Sequence, residues 1–439
     1  MKVLKFGGSS LAEAQRMIDV ASIVSNSGCE VIVVLSAIAG TTDSLVRIVE
    51  NTKHGETLES KKIIDILLNH YKKYISDLYD NETLKDIAFD YIQSQFQDVL
   101  AMIEQRFIPA LEFNILAKGE LISTKLFQIL LEERKEKPSL LSSLDFLRLD
   151  QTGTPDISFL AHELSCQIIE SKEQKIFVTQ GFICRNAFGD VSNLKRGGSD
   201  YSASLFAAAL GCEEVQIWTD IDGMHNNDPR YVENTKAISE LSFDEAAELA
   251  YFGAKILHPA SIKPARRKNV PVRLLNTLEP SAKGTLISSK SIQARIKAIA
   301  AKDGITAIKI RSSEMLQAPG FLRRVFEVFE LYHTSIDMIT TSEVAVSVTI
   351  DDTTYLDVIA KTLKEFGHVE VDENLSIICV VGEFLEQTTG IASQVLRSLE
   401  DIPLRMISYG GSAHNISLLV SEKLKIKTLN QLHRSLFNV

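Results

Sequence analysis

Lys2-Val3-Leu4-Lys5-Phe6-Gly7-Gly8-Ser9-Ser10 is the stretch from which the fold is read. Residues 2–6 have the apolar, unbroken character of a buried strand, and two glycines followed by two serines end it in a turn. The apolar spacing that follows predicts a helix over roughly 11–25. A second strand is expected at 30–36, Glu-Val-Ile-Val-Val-Leu-Ser. Strand, helix, strand is the opening of a parallel sheet. Further strands are expected at 175–179, 215–219 and 272–275, with helical patterns between them. Residues 1–290 therefore read as a three-layer αβα sandwich. Residues 57–106 are charged and carry apolar residues at helical spacing, among them Ile63, Ile64, Leu67, Leu68 and Tyr71, then Ile92, Phe96, Val99, Leu100 and Ile103. They read as a two-helix excursion, turning at Asp80-Asn81-Glu82, with a structural role.

A linker holding Gly284, Ser288, Ser289 and Ser291 closes this part, and a different pattern follows. Strands are expected at 305–310, 335–341, 344–350 and 369–372, with helices at 320–331 and 356–366. The order then restarts, with strands at 376–381, 404–408 and 416–420 and helices at 391–399 and 424–436. This is a βαββα unit repeated with a period of about 70 residues. It sets domains at 305–374 and 375–439. The second copy lacks a last strand, which 295–302 would supply. Two unrelated α+β pieces are the alternative.

The 439 residues carry a net charge of -10, which argues against a nucleic-acid binder with a basic face. No secretory h-region follows Met1. The longest uncharged runs, such as 31–42, fall short of the roughly 20 apolar residues of a membrane span. The five cysteines are scattered and form no C-x-x-C pair, so neither a zinc site nor a disulfide framework is expected, and a cytoplasmic setting fits. An acidic protein that handles phosphate must gather its cations in one place.

Five segments could do so. Lys5-Phe6-Gly7-Gly8-Ser9-Ser10 ends the first strand, where ligands bind in open α/β sheets; a tight turn with a surface lysine is the plainer reading. Ser36-Ala37-Ile38-Ala39-Gly40-Thr41-Thr42 is a second small, hydroxyl-rich turn. Lys195-Arg196-Gly197-Gly198-Ser199-Asp200 leads into an alanine-rich helix, either as an anion site with a bidentate clamp or with Ser199 or Asp200 as a cap. Trp218-Thr219-Asp220-Ile221-Asp222-Gly223, then Asp228-Pro229-Arg230, fits a nucleotide pocket. In Phe252-Gly253-Ala254-Lys255-Ile256-Leu257-His258-Pro259, His258 is a ligand, a cap or a core histidine.

Together and in order, these segments resemble the aspartate kinases of the amino-acid-kinase (carbamate-kinase-like) fold, and the repeated tail resembles their paired, ferredoxin-like ACT domains. The tail suits the single-function form, without a homoserine dehydrogenase. The resemblance implies ATP and Mg2+ as cofactors and L-aspartate as acceptor, with no dedicated protein metal site. It implies Lys5 on the γ-phosphate and Asp200 orienting Lys5. Gly7, Gly8, Ser9 and Ser36 would cradle phosphate. Arg196 would grip the α-carboxylate of aspartate and Glu120 its α-ammonium, with Thr42 and Ser199 also at the substrate. Without the resemblance, Glu120 reads as a helix-start carboxylate. Thr219, Asp220, His225, Arg230, Lys255 and Ile256 would hold the nucleotide. Lys195 stands where a glycine is usual, and His225-Asn226-Asn227 replaces a tyrosine and hydroxyl residues.

In the tail, Met315, Ala318, Phe321, Leu322, Ser335, Asp337, Ser342 and Glu343 resemble the effector site of lysine-inhibited relatives. Asp337 and Glu343 offer carboxylates to an ammonium, while Ala318 replaces a usual hydroxyl. L-lysine is the expected effector, with threonine or no effector as the alternatives, and a homodimer through the ACT domains is expected. Competing readings are another amino-acid kinase or a sensor without turnover.

Overall fold

The computed structural model describes every residue except Lys172, Arg196, 254–256, 291–295, 313–314, 316–318, 385–388 and 438–439. Arg196, Lys255, Ile256 and Ala318 thus lie outside the described residues. The chain forms two compact units, one of residues 1–223 and 257–290, the other of 224–256 and 291–439.

In the first unit, seven strands lie in the order Pro138–Leu141, Ile176–Gln180, Val31–Leu35, Lys2–Phe6, Val215–Thr219, Val272–Asn276, Thr285–Ser288. The first six run parallel and the last is antiparallel to its neighbour. Val31–Leu35 and Ile176–Gln180 are buried at every position, as strands covered on both faces must be. Alternate residues Leu4, Phe6, Val31, Val33, Leu35 and Val178 share one core with the helices Ala14–Ser25, Thr41–Lys53, Thr57–Leu78, Glu82–Ile103 and Pro109–Glu133. The helix Gly198–Leu210 packs on Lys2–Phe6 and Val31–Leu35 as well, completing the sandwich.

Three features depart from the sequence reading. The helix expected from residue 11 begins as a 3-10 turn, Gly8–Leu11, and becomes regular at Ala14. The strand Pro138–Leu141 was not expected, because a proline and partial burial mask a short edge strand. The strand Thr285–Ser288 falls where a linker was read. The excursion forms as two helices hinged on Asn81, whose side chain accepts from Thr83 N at 2.9 Å and Leu84 N at 3.3 Å.

The second unit contains a six-stranded antiparallel sheet ordered Ile339–Thr341, Ala345–Ile350, Ile296–Arg311, His368–Gly382, Asn415–Ser421, Met406–Tyr409. Two cores lie along it. Ile308, Ile310, Val346 and Val348 pack with the helices Phe321–Leu331 and Leu356–Leu363. Ile378, Val380, Leu418 and Val420 pack with Ile391–Arg397 and Lys425–Phe437. Four strands expected as separate are two long ones. Ile296–Arg311 pairs along its length with His368–Gly382, and its first part, 296–302, pairs with 377–382 of the second repeat. Breaks are expected from the sequence at 303–304 and 373–375, between these strands. In the fold they are bulges, with Gly304 at φ 72° and Asn374 at φ 58°. The repeat is real, but its two sheets are continuous.

Candidate active site

The site residues of the first unit gather beyond the carboxyl ends of the parallel strands, where a doubly wound sheet leaves a crevice. Lys5, one residue before the end of its strand, reaches Asp200 with Nζ 2.7 Å from Oδ1, the two side chains being 12% and 15% exposed. Asp200 lies in the first turn of Gly198–Leu210, and that helix is capped by Gly197. Neither Ser199 nor Asp200 is the cap. Their position inside the first turn places a carboxylate where the helix dipole favours it.

The glycines permit close approach. A side-chain carbon at Gly8 would lie 2.9 Å from the carbonyl oxygen of Ala37, and one at Gly7 would lie 3.4 Å from Lys5 Nζ. The first and second turns therefore touch backbone to backbone. Ser36 Oγ donates to Ser199 Oγ at 2.9 Å, which joins the second turn to the third.

Glu120 sits in the middle of Pro109–Glu133, so the helix-start reading of this carboxylate falls. It is 4% exposed, and the backbone N–H of Ala37 donates to its Oε1 at 3.2 Å. Its Oε2 is buried with no hydrogen-bond partner among the described residues. Burial pushes its pKa up to about 8, against the pull of the hydrogen bond from Ala37. A buried carboxyl with one oxygen unmet is prepared for a cation. Thr42 is exposed at the start of Thr41–Lys53, whereas Thr41 is buried and bonds Tyr71 Oη at 2.8 Å.

Thr219 ends its strand, and its Oγ1 donates to Asp220 Oδ1 at 3.0 Å. Thr277 donates from N and Oγ1 to Thr219 O, at 2.8 and 2.9 Å. His258 accepts from Ala260 N at 3.2 Å through Nδ1, so it caps a turn. Lys195, the departure from the usual glycine, has φ 57°. Only the left-handed backbone is shared with glycine; the lysine keeps it with strain, and its N–H donates to Asn193 Oδ1 at 3.1 Å.

His225 and Arg230 belong to the second unit. There His225 Nδ1 lies 3.1 Å from Thr235 Oγ1, and Arg230 is clamped by Asp228, Nη2 to Oδ2 at 2.6 Å. Their nucleotide role rests on resemblance alone.

Among the expected effector residues, Phe321 is 3% exposed within the core of the first repeat, and Met315 packs against that core. The Phe321 ring therefore packs inside that core. Leu322, Ser335, Ser342 and Glu343 lie at the surface. Asp337, expected to offer a carboxylate to an ammonium, already meets one on Oδ1, while its Oδ2 is buried with no hydrogen-bond partner among the described residues. Lys302 Nζ lies 2.7 Å from its Oδ1 and 2.8 Å from Asp351 Oδ2, and Tyr251 Oη donates to the same Oδ1 at 2.6 Å. Lys302 and Tyr251 were missed because nothing local to either points to position 337. The lysine sits at a strand bulge and the tyrosine at the end of the helix Phe243–Tyr251.

Residues 1–276 match the amino acid kinase family, and residues 308–366 and 378–436 each match an ACT domain. The chain is 36% identical to the lysine-sensitive aspartokinase 3 of Escherichia coli over 99% of both chains. It also resembles the E. coli aspartokinase III structure in complex with aspartate and ADP, with a TM-score of 0.83, 34% identity and full coverage of both chains. The structure of that enzyme in complex with lysine and aspartate matches with a TM-score of 0.82 and 34% identity, over 100% of this chain and 99% of that one. With Lys5, the paired glycine turns and Glu120 assembled at one end of a parallel sheet, and two ACT repeats following, this chain belongs to the amino acid kinase family as one of its aspartate kinases.

Proposed function

We propose that the chain transfers the γ-phosphoryl group of MgATP to the side-chain carboxylate of L-aspartate, giving 4-phospho-L-aspartate, the entry to lysine, threonine and methionine synthesis. The observation that carries this is the pairing of a phosphate-side cation with a buried carboxyl: Lys5 at 2.7 Å from Asp200, and Glu120 bound to the neighbouring turn.

The chemistry asks for those two features. Aspartate's side chain is ionised at neutral pH, so no general base is needed. Its approach to the γ-phosphate is opposed by about 4 kcal/mol per charge pair at 4 Å and an effective dielectric near 20. Lys5 cancels that charge and stabilises the transferring group, and Asp200 holds its ammonium in line. Gly7, Gly8 and Ser9 cradle the phosphates with backbone and hydroxyl donors, Ser36 lines the same cradle, and Thr219 and Asp220 flank the nucleotide. Mg2+, a hard, hydrated ion, would supply charge neutralisation of the phosphates when bound with the nucleotide. Glu120 takes the α-ammonium of aspartate on its unmet oxygen and ionises as it does so. Arg196 takes the α-carboxylate, and Thr42 and Ser199 complete the substrate contacts.

The ACT half senses L-lysine at the first repeat, and the chain works in the cytoplasm as a homodimer joined through its ACT domains. The relative it resembles is named for lysine sensitivity, which supports this choice over threonine. An aspartyl-hydroxamate assay with MgATP tests the reading. Product from aspartate but not glutamate, lowered by lysine and untouched by threonine, is the expected result. No product with any carboxylate, despite heat released on adding lysine, would point instead to a sensor.

A further inference from the structure

The helical excursion was read as a structural lobe, yet three buried tyrosines of one helix reach out of it in a definite pattern. Tyr71 and Tyr74 lie one turn apart on Thr57–Leu78, 0% and 4% exposed, and Tyr79 caps that helix at 2%. Burial pushes all three phenols well above their ordinary range, so each is a neutral hydrogen-bonding group throughout the working pH. Tyr71 Oη bonds Thr41 Oγ1 at 2.8 Å, directly after the second glycine turn. A side-chain carbon at Gly119, next to Glu120, would lie 3.6 Å from Thr41 Cγ2 and 2.7 Å from Ala37 Cβ. Thr41 therefore fixes the wall against which Glu120 is held. Tyr74 Oη donates to Leu11 O at 2.8 Å and Glu13 O at 3.4 Å, at the far end of the first glycine turn. Tyr79 Oη donates to Leu126 O at 2.7 Å, away from both turns.

We infer that the helix Thr57–Leu78 is a brace with two separable arms, Tyr71 positioning the aspartate side of the site through Thr41, and Tyr74 positioning the phosphate turn through Leu11. Glycine turns are soft, and a turn that must hold its donors in fixed places needs an outside anchor. Both are positioning residues; neither touches substrate. The inference deepens the proposed aspartate-kinase reading and rests on which turn serves which ligand.

The test is the crossed pattern of two variants. In Tyr71→Phe, KM and Kd for L-aspartate should rise roughly fivefold, the scale of one buried hydrogen bond, with those for MgATP and MgADP, which meet this turn through Ser36 alone, moving by less than about twofold. In Tyr74→Phe the nucleotide constants should rise and those for aspartate stay. Thr41→Val should repeat Tyr71→Phe, without adding to it in the double variant, and Thr41→Ser should restore wild-type constants. Tyr79→Phe loses a comparable bond and should lower Tm alone. If Tyr71→Phe and Tyr74→Phe shift both ligands alike, or lower Tm with every constant unchanged, the brace is wrong. Binding of aspartate and MgADP is read by calorimetry without turnover. A wild type that binds both yet makes no hydroxamate would sink the proposed reaction while the crossed pattern in Kd still judged the brace.

Discussion

Two lysine–aspartate pairs, each 2.7 Å long, occupy the two halves of the molecule and do opposite work. Among the described residues the Lys5 ammonium meets one carboxylate, and its other flank is a turn of two glycines with no side chains to satisfy it. Lysine and aspartate sum to zero there, and an arriving phosphate finds an unsaturated cation. At Lys302 the ammonium meets Asp337 and Asp351 together and sits 4.5 Å from the centre of the Tyr251 ring. That cation is saturated, and the cluster carries a surplus negative charge suited to a second ammonium. The same pair of residue types attracts an anion in one setting and a cation in the other, according to what else surrounds it.

The comparison can be broken at its strongest point first. Lys5→Met should lower kcat by roughly 10²–10³, the scale of a lost transition-state donor, with melting little changed. A loss under tenfold in the hydroxamate assay would demote Lys5 to a surface cation. Lys302→Met should do the reverse. It strands the fully buried Asp337 side chain and should cost about 3 kcal/mol in denaturant unfolding, with far less effect on uninhibited kcat than Lys5→Met. Equal kinetic damage from both substitutions would erase the distinction.

Glu120 sharpens it through pH. Its folded pKa of about 8 lies above its ordinary 4.5, so between those values the folded state binds more protons than the unfolded one. Stability should therefore be fully present at low pH and fall by a few kcal/mol as pH rises through that window. Glu120→Gln should flatten the decline, seen as melting midpoints that converge on or exceed wild type near pH 8. KM for aspartate in the wild type should fall as pH approaches 8, because the ammonium needs the ionised form. The smallest expected effect is at Lys195, where glycine would relieve a left-handed backbone at φ 57° and raise stability by about 1 kcal/mol with kcat unchanged.

Much of this was legible along the chain. Buried parallel strands declare themselves by unbroken Val and Ile runs, glycine turns by composition, and the repeat by its period. The turn expected at Asp80-Asn81-Glu82 falls between the two helices, where Asn81 caps the second. What escaped notice depended on distant partners. That the Phe321 ring belongs to the core of the first repeat is not visible in the sequence, because local pattern cannot tell a core phenylalanine from an exposed one. The bulges at Gly304 and Asn374 were read as strand ends because a residue with positive φ ends a strand or bends it according to what lies across the sheet.

The order of residues by itself determined the kinds of element, the family and the chemistry of the turns, since these follow from short-range sterics, hydrophobic period and residue type. Only the tertiary structure decided which groups are left wanting: that Glu120 and Asp337 are each buried with one oxygen unmet among the described residues, that the other oxygen of Asp337 is held by Lys302 and Tyr251, and that Tyr71 and Tyr74 anchor separate turns. Satisfaction of a polar group is a property of its surroundings, and those surroundings come from residues tens to hundreds of positions away.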